Sequence, residues 1–136
     1  MSVEERNRAI VLRNFRAFDS GDLKTLEETT APDFVDHNPL ERQLPGVKGT
    51  KEASAMWRKA FPDAKIVVED TIAEADKVVI VWSGKATHKG PFLGIPPTGK
   101  QVTLEGITVF RVAGGKVAEQ RGELNLYNIL RQLAGF

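Results

Sequence analysis

Cysteine is absent from the 136-residue chain, which excludes a disulfide framework, a thiol nucleophile and any cysteine-ligated metal. Histidine occurs only at His37 and His88, too few for a histidine-rich metal centre. Neither sign of charge dominates: 19 basic residues stand against 18 acidic ones, a net charge of +1. Such a surface has no field to attract nucleic acid or anionic lipid, so neither is expected as a partner. Apolar runs are a few residues long, far short of a membrane span. The start, MSVEERNRAI, has no apolar signal region, and a cytoplasmic protein is expected. No Gly-rich phosphate loop follows a strand, since Gly90, Gly94 and Gly99 lie among prolines. A G-x-S-x-G elbow and an H-E-x-x-H helix are missing too.

What is present is ordinary for a globular domain: 41% apolar and 27% charged residues. The length suits a single domain over 1–136. At roughly this size about 70% of the unfolded surface is buried, enough for one core without staples. The first half reads as helices. Ser2 and Glu5 form a capping box, and Val3, Asn7, Ile10, Val11, Asn14, Phe15 and Phe18 recur at helical spacing. Asp19, Ser20 and Gly21 stop that helix. Asp22 caps a second, short one with Leu23 and Leu26, ending before Pro32. Residues 33–49 are turn-rich. Thr50 is expected to cap a third helix carrying Ala53, Met56, Trp57, Ala60 and Phe61, ended by Pro62.

The second half reads as four strands, at 65–74, 78–88, 101–112 and 116–125, followed by helical spacing over 126–136. The connection 89–100, with Pro91, Pro96 and Pro97, is long for a hairpin, and such loops are more often functional than short turns. Helices first and an antiparallel meander after them predict an α+β fold, with helices across one face of a curved sheet. A cone of that kind encloses space for a small apolar ligand.

The Gly114-Gly115 turn predicts a tight hairpin in which Phe110 pairs with Glu119, Thr108 with Arg121, Gly106 with Glu123 and Leu104 with Asn125. Residues directly opposite share a face. One face then carries Val102, Leu104, Phe110 and Val112 with Glu119, Arg121, Glu123 and Asn125, and the other Ile107, Val109, Ala118 and Leu124. Charges on the first face either line a polar-ended cavity or pair with one another in water. A single bulge would exchange the two faces.

His88 closes the strand of Val78, Ile80, Trp82, Gly84 and Ala86 on the same parity. It is a candidate acid or base, since its pKa lies near neutrality, or else a strand cap facing water. Asp36 and His37 are adjacent, so in extended chain they point apart and form no direct dyad. Turn chemistry is their alternative role. Trp57, Phe61 and Trp82 line a ligand cavity or fill the core.

At THKGPFLGIPPTGK (87–100) the chain resembles the SnoaL-like polyketide cyclases of the nuclear transport factor 2-like superfamily. FVDHNP (34–39), AFPD (60–63), GGKVAEQ (114–120) and ILRQL (129–133) follow in the family's order. The resemblance implies a helix-lined conical α+β barrel, a homodimer packed through its sheets, and ring closure by intramolecular aldol condensation. It implies no metal and no cofactor. The family's catalytic aspartate falls on Gly122 or Asn125, neither of which transfers a proton, and its strand histidine on Thr108. The expectation is a cofactor-free cyclase-related lyase or isomerase acting by acid–base chemistry on a small hydrophobic carbonyl compound. Glu123 or His88 would carry the proton. Asp36, His37, Trp57, Phe61, Trp82, Thr108, Phe110, Arg121 and Asn125 would line the ligand site. A non-catalytic small-molecule binder and a dimeric interaction module are the alternatives.

Overall fold

The computed structural model describes residues 1–39 and 42–135. Helix α1 (Val3–Ser20) starts where Ser2 Oγ accepts the Glu5 N–H, and stops at Gly21 in the left-handed region, φ 76°. Asp22 caps α2 (Leu23–Thr29) by accepting the Thr25 N–H. Helix α3 (Gly46–Ala60) begins earlier than expected, and Thr50 is buried in its second turn instead of capping it. Glycine allows this early start: a Cβ on Gly49 would fall 1.6 Å from the Leu44 carbonyl oxygen. Helix α4 (Leu126–Ala134) is capped by Asn125, which accepts the Asn128 N–H. Phe136, expected in that helix, lies outside the described residues.

The sheet has five strands where four were expected. Residues 30–36, expected as the end of α2 and the start of a turn-rich stretch, form β1 (Thr30–Asp36). The meander follows as β2 (Lys65–Glu74), β3 (Lys77–Thr87), β4 (Gln101–Ala113) and β5 (Lys116–Leu124), in spatial order β1-β5-β4-β3-β2. All neighbours are antiparallel except β1 and β5, which run parallel. The sheet is curved but open, with β1 and β2 at its edges. Pro32 is tolerated in β1 because an edge strand leaves one row of N–H groups unpaired.

Helices cover the inner face, where Val78, Ile80, Leu104, Phe110 and Val117 are buried. Two apolar clusters form. One gathers Phe61, Phe92, Leu104, Ile129 and Leu133, the other Val11, Phe34, Ile80, Phe110 and Val117, and Trp82 packs against both. No helix among the described residues is long and apolar enough to cross a membrane.

The last hairpin departs from the expected register. It starts as expected, with Ala113 opposite Lys116 and Val112 opposite Val117, but a bulge follows at once. Ala118 is the extra residue, so Glu119 pairs with Arg111, Gln120 with Phe110, Arg121 with Val109, Gly122 with Thr108 and Glu123 with Ile107. The faces are thereby exchanged beyond 118. Gln120, Gly122 and Leu124 join Thr108 and Phe110 on the inner side. Glu119, Arg121 and Glu123 join Arg111, Val109 and Ile107 on the outer one. Desolvation drives the choice: three charges would otherwise enter an apolar interior.

Candidate active site

Between the inner sheet face, α1, α3 and residues 91–93 lies a cavity of about 230 Å³. Its walls are aromatic, from Phe15 and Phe18 on α1, Trp57 on α3, Trp82 on β3, Phe92 in the long connection and Phe110 on β4. Trp57 and Trp82 meet edge to face with centroids 6.5 Å apart, and Phe15 sits 6.2 Å from Trp82. Trp82 lies directly over its strand partner Gly106, where any Cβ would come within 2.5 Å of the indole. That glycine is required for the ring to form this wall.

The long connection contributes through a two-residue turn. Phe92 and Ile95 exchange both backbone hydrogen bonds around Leu93 and Gly94, at φ 50° and 79°. Phe92 and Leu93 are thus held against the cavity. Pro96 and Pro97 are exposed and do not line it.

One end of the cavity is polar. Asp36, at the end of β1, accepts the Asn38 N–H on Oδ1 (3.1 Å) and a Gln120 Nε2–H on Oδ2 (3.0 Å). Asn38 continues β1 with its side chain. Its Oδ1 accepts the Gly122 N–H at 2.9 Å, and its Nδ2 donates to the Gly122 carbonyl and to Glu123 Oε1 (3.1 Å). His37 points the other way. Its Nε2 meets Glu119 Oε1 at 3.0 Å, and Glu119 also holds Arg111. The Arg111 guanidinium and then His37 pull the Glu119 carboxyl down to about 2. Burial has the opposite effect on Asp36, raising its pKa despite the Asn38 and Gln120 hydrogen bonds.

A second carboxyl lines the same cavity. Asp19, in the last turn of α1, accepts the Trp57 Nε1–H at 3.1 Å. Burial raises its pKa above the ordinary carboxylate value, offset in part by the Trp57 hydrogen bond and by Arg58. Its place in the sequence marks it only as part of a helix stop. The distant Trp57 that turns it into a cavity group carries no local signal.

The expected site residues therefore divide. Asp36, Trp57, Trp82, Thr108, Phe110 and Glu123 line the cavity, Glu123 at its exposed rim. His37, Phe61, His88, Arg121 and Asn125 are not among its walls. Phe61 is fully buried behind Trp57, at 5.0 Å between centroids. Arg121 is exposed on the outer face, and Asn125 caps α4 and donates to Glu105.

His88 neither faces water nor reaches the cavity. It is fully buried, and its Nδ1 accepts the Thr98 N–H at 3.2 Å with Thr98 Oγ1 at 3.0 Å. An acceptor Nδ1 fixes the neutral ring with its proton on Nε2. With His88 N donating to the Lys100 carbonyl and Gly99 N to that of His88, the residue pins the long connection. Burial lowers its pKa, opposed by a backbone hydrogen bond with Gly90. Among the described residues no cluster of three potential metal ligands occurs.

Of the two positions on which the resemblance places an aspartate, Gly122 lies at the cavity, opposite Thr108, where a Cβ would sit a tight 3.3 Å from Thr108 Oγ1, and Asn125 does not line it.

Comparison with known proteins agrees with this geometry. Residues 9–133 match the model of the SnoaL-like polyketide cyclases. The nogalonic acid methyl ester cyclase of Streptomyces nogalater is 27% identical over 121 residues, covering 86% of this chain and 89% of that protein. TsrD from Streptomyces laurentii has the same fold, with a TM-score of 0.89 over the whole of both chains at 24% identity. IdmH from Streptomyces antibioticus superposes with a TM-score of 0.79 at 29% identity, over 94% of this chain and 98% of that one.

Proposed function

We propose that this chain, which belongs to the SnoaL-like polyketide cyclase family, performs cofactor-free acid–base chemistry on a compact, largely apolar carbonyl compound, with Asp36 as proton carrier. The observation that supports this most is the partly buried Asp36 carboxyl at the polar end of an aromatic cavity. Each of its oxygens accepts one N–H, so each keeps a lone pair for a substrate proton. Its raised pKa moves it toward working pH, where a carboxylate is a better base. Asp36 thus stands in for the aspartate that Gly122 lacks. Glu123 is less suited, being exposed and engaged by Asn38, and His88 serves as a structural pin.

The cavity, about 230 Å³, is below the roughly 300–1,000 Å³ usual for drug-sized ligands. A one- or two-ring ketone fits that space better than an extended polyketide. The same reading includes a homodimer formed through the outer sheet face, where Val67, Ile72 and Ile107 are each about half exposed. The alternative, a binder without catalysis, draws on Gly122 alone.

A two-ring ketone tests this reading. The protein is expected to accelerate α-proton exchange of 2-tetralone in D2O, followed by NMR, and to leave nogalonic acid methyl ester unchanged. Binding of 2-tetralone without faster exchange would favour the binder. Efficient cyclisation of the ester would contradict the size argument.

A further inference from the structure

Asp19 is a partly buried carboxyl that the chemistry above leaves unused. Oδ1 accepts the Trp57 Nε1–H, and Oδ2 has no hydrogen bond among the described residues. No cation lies within salt-bridge distance of it among those residues. It also sits at the C-terminal end of α1, where the helix carbonyls oppose negative charge. Asp36, by contrast, sits on no helix end and accepts two N–H donors, which favour its ionised form. Burial raises both carboxyls, and their unequal donor sets, one N–H on Asp19 and two on Asp36, are the kind of difference that divides acid from base.

We propose that Asp19 is a second catalytic group of this cavity, a protonated carboxyl whose O–H donates to the ligand oxygen on which negative charge collects. This rests on the reading of Asp36 as base. The class of substrate it selects is an enolisable ketone. Asp36 takes the α-proton: the C–H bond breaks, an O–H bond forms on Asp36, and the C–H electron pair becomes the enolate C=C. The carbonyl π pair moves onto oxygen, where the Asp19 O–H meets it in an aromatic-walled site. Asp36 then returns its proton to carbon, giving exchange or isomerisation. Where the molecule carries a second carbonyl, the enolate carbon attacks it instead, and the new alkoxide takes the proton from Asp36.

The charged groups around Asp19 set the sign of its pH dependence. Arg58 on α3 favours its ionised form. Glu52 on α3 and Asp36 on β1 line the same cavity, with Arg42 and Glu123 at the rim.

The test uses 4-nitrophenol, whose phenolate mimics an enolate oxygen and whose absorbance reports binding without turnover. For the whole protein, phenolate affinity is expected to fall as pH rises through the Asp19 titration. Asp19→Asn keeps an acceptor for Trp57 and an N–H donor for the ligand, so binding persists and that fall disappears. Asp19→Ala weakens phenolate binding by tenfold or more. Trp57→Phe removes a donor that favours the carboxylate, moving the fall to higher pH. Asp36→Asn retains the fall, and fails separately, in 2-tetralone exchange. Melting curves establish that each variant is folded. An Asp19→Ala protein that binds as tightly as the parent, or an Asp19→Asn protein with the parent's pH profile, overturns the proposal.

Discussion

At the scale of single residues, function depends on where burial places a polar group. Asp36 and His37 illustrate the point: neighbours in an extended strand end, they face opposite ways, one to the cavity and one to Glu119. That divergence was legible from the backbone alternation of adjacent residues. His88 was legible as a chemistry-bearing residue but not as a buried one, because Thr98, ten residues on, supplies its partner. Its lowered pKa has a consequence for stability. The unfolded chain binds a proton near the ordinary 6.5 while the folded one does not, so stability falls as pH drops below about 6.5. His88→Gln is expected to be less stable at pH 8 by about 1–3 kcal/mol, through lost packing and hydrogen bonding. It is also expected to lose less stability between pH 8 and 5, as chemical denaturation at several pH values would show.

At the scale of elements, helices α1 and α2 and the meander were legible because caps, glycine stops and alternating apolar residues are local signals. Strand β1 was not. Pro32 and Asp33 disguise it, and only its parallel pairing with the distant β5 makes it a strand. Nor was the bulge at Ala118, which follows a regular two-glycine turn and has no signal in neighbouring residues. Its effect on the site is large, since it turns Gln120 inward to hold Asp36 and Glu119 outward to hold His37 and Arg111. Glu119 therefore clamps the end of β1 to β4 and β5. Its folded pKa, about 2, lies below its ordinary 4.5, so it stabilises the fold above that value and loses this as pH falls toward 2. Glu119→Gln is expected to be less stable at pH 7 and to show a flatter stability profile between pH 4.5 and 2. Acid unfolding followed by circular dichroism checks both.

At the scale of the whole molecule, the helices close one face of the sheet and leave the other bare. Val67, Ile72 and Ile107 give that outer face an apolar centre, and Glu119, Arg121 and Glu123 give it a charged border. An interface core of apolar residues within a polar rim is the pattern of subunit contacts. Sedimentation is expected to give twice the 15.0 kDa chain mass at micromolar concentration, and Ile107→Glu to give the monomer. A monomeric parent would contradict the dimer. The general fold was legible in the succession of helices and strands, and with it a cavity and several of its walls; the complete lining was not, because it is assembled from α1, β1, α3, β3, β4, β5 and the long connection together.

The claim on which the functional account turns is that the proton-carrying carboxyl belongs to Asp36, at the polar end of the cavity where Asn38 links it to Gly122. The α-proton exchange rate of 2-tetralone, compared between the parent and Asp36→Asn, measures it most directly. The amide preserves the shape and an acceptor for Gln120 or Asn38 but takes up no proton. The expected result is a loss of about 10²–10⁴-fold in rate, with ketone binding retained and Glu123→Gln close to the parent. An Asp36→Asn protein that exchanges the ketone as fast as the parent would contradict the account.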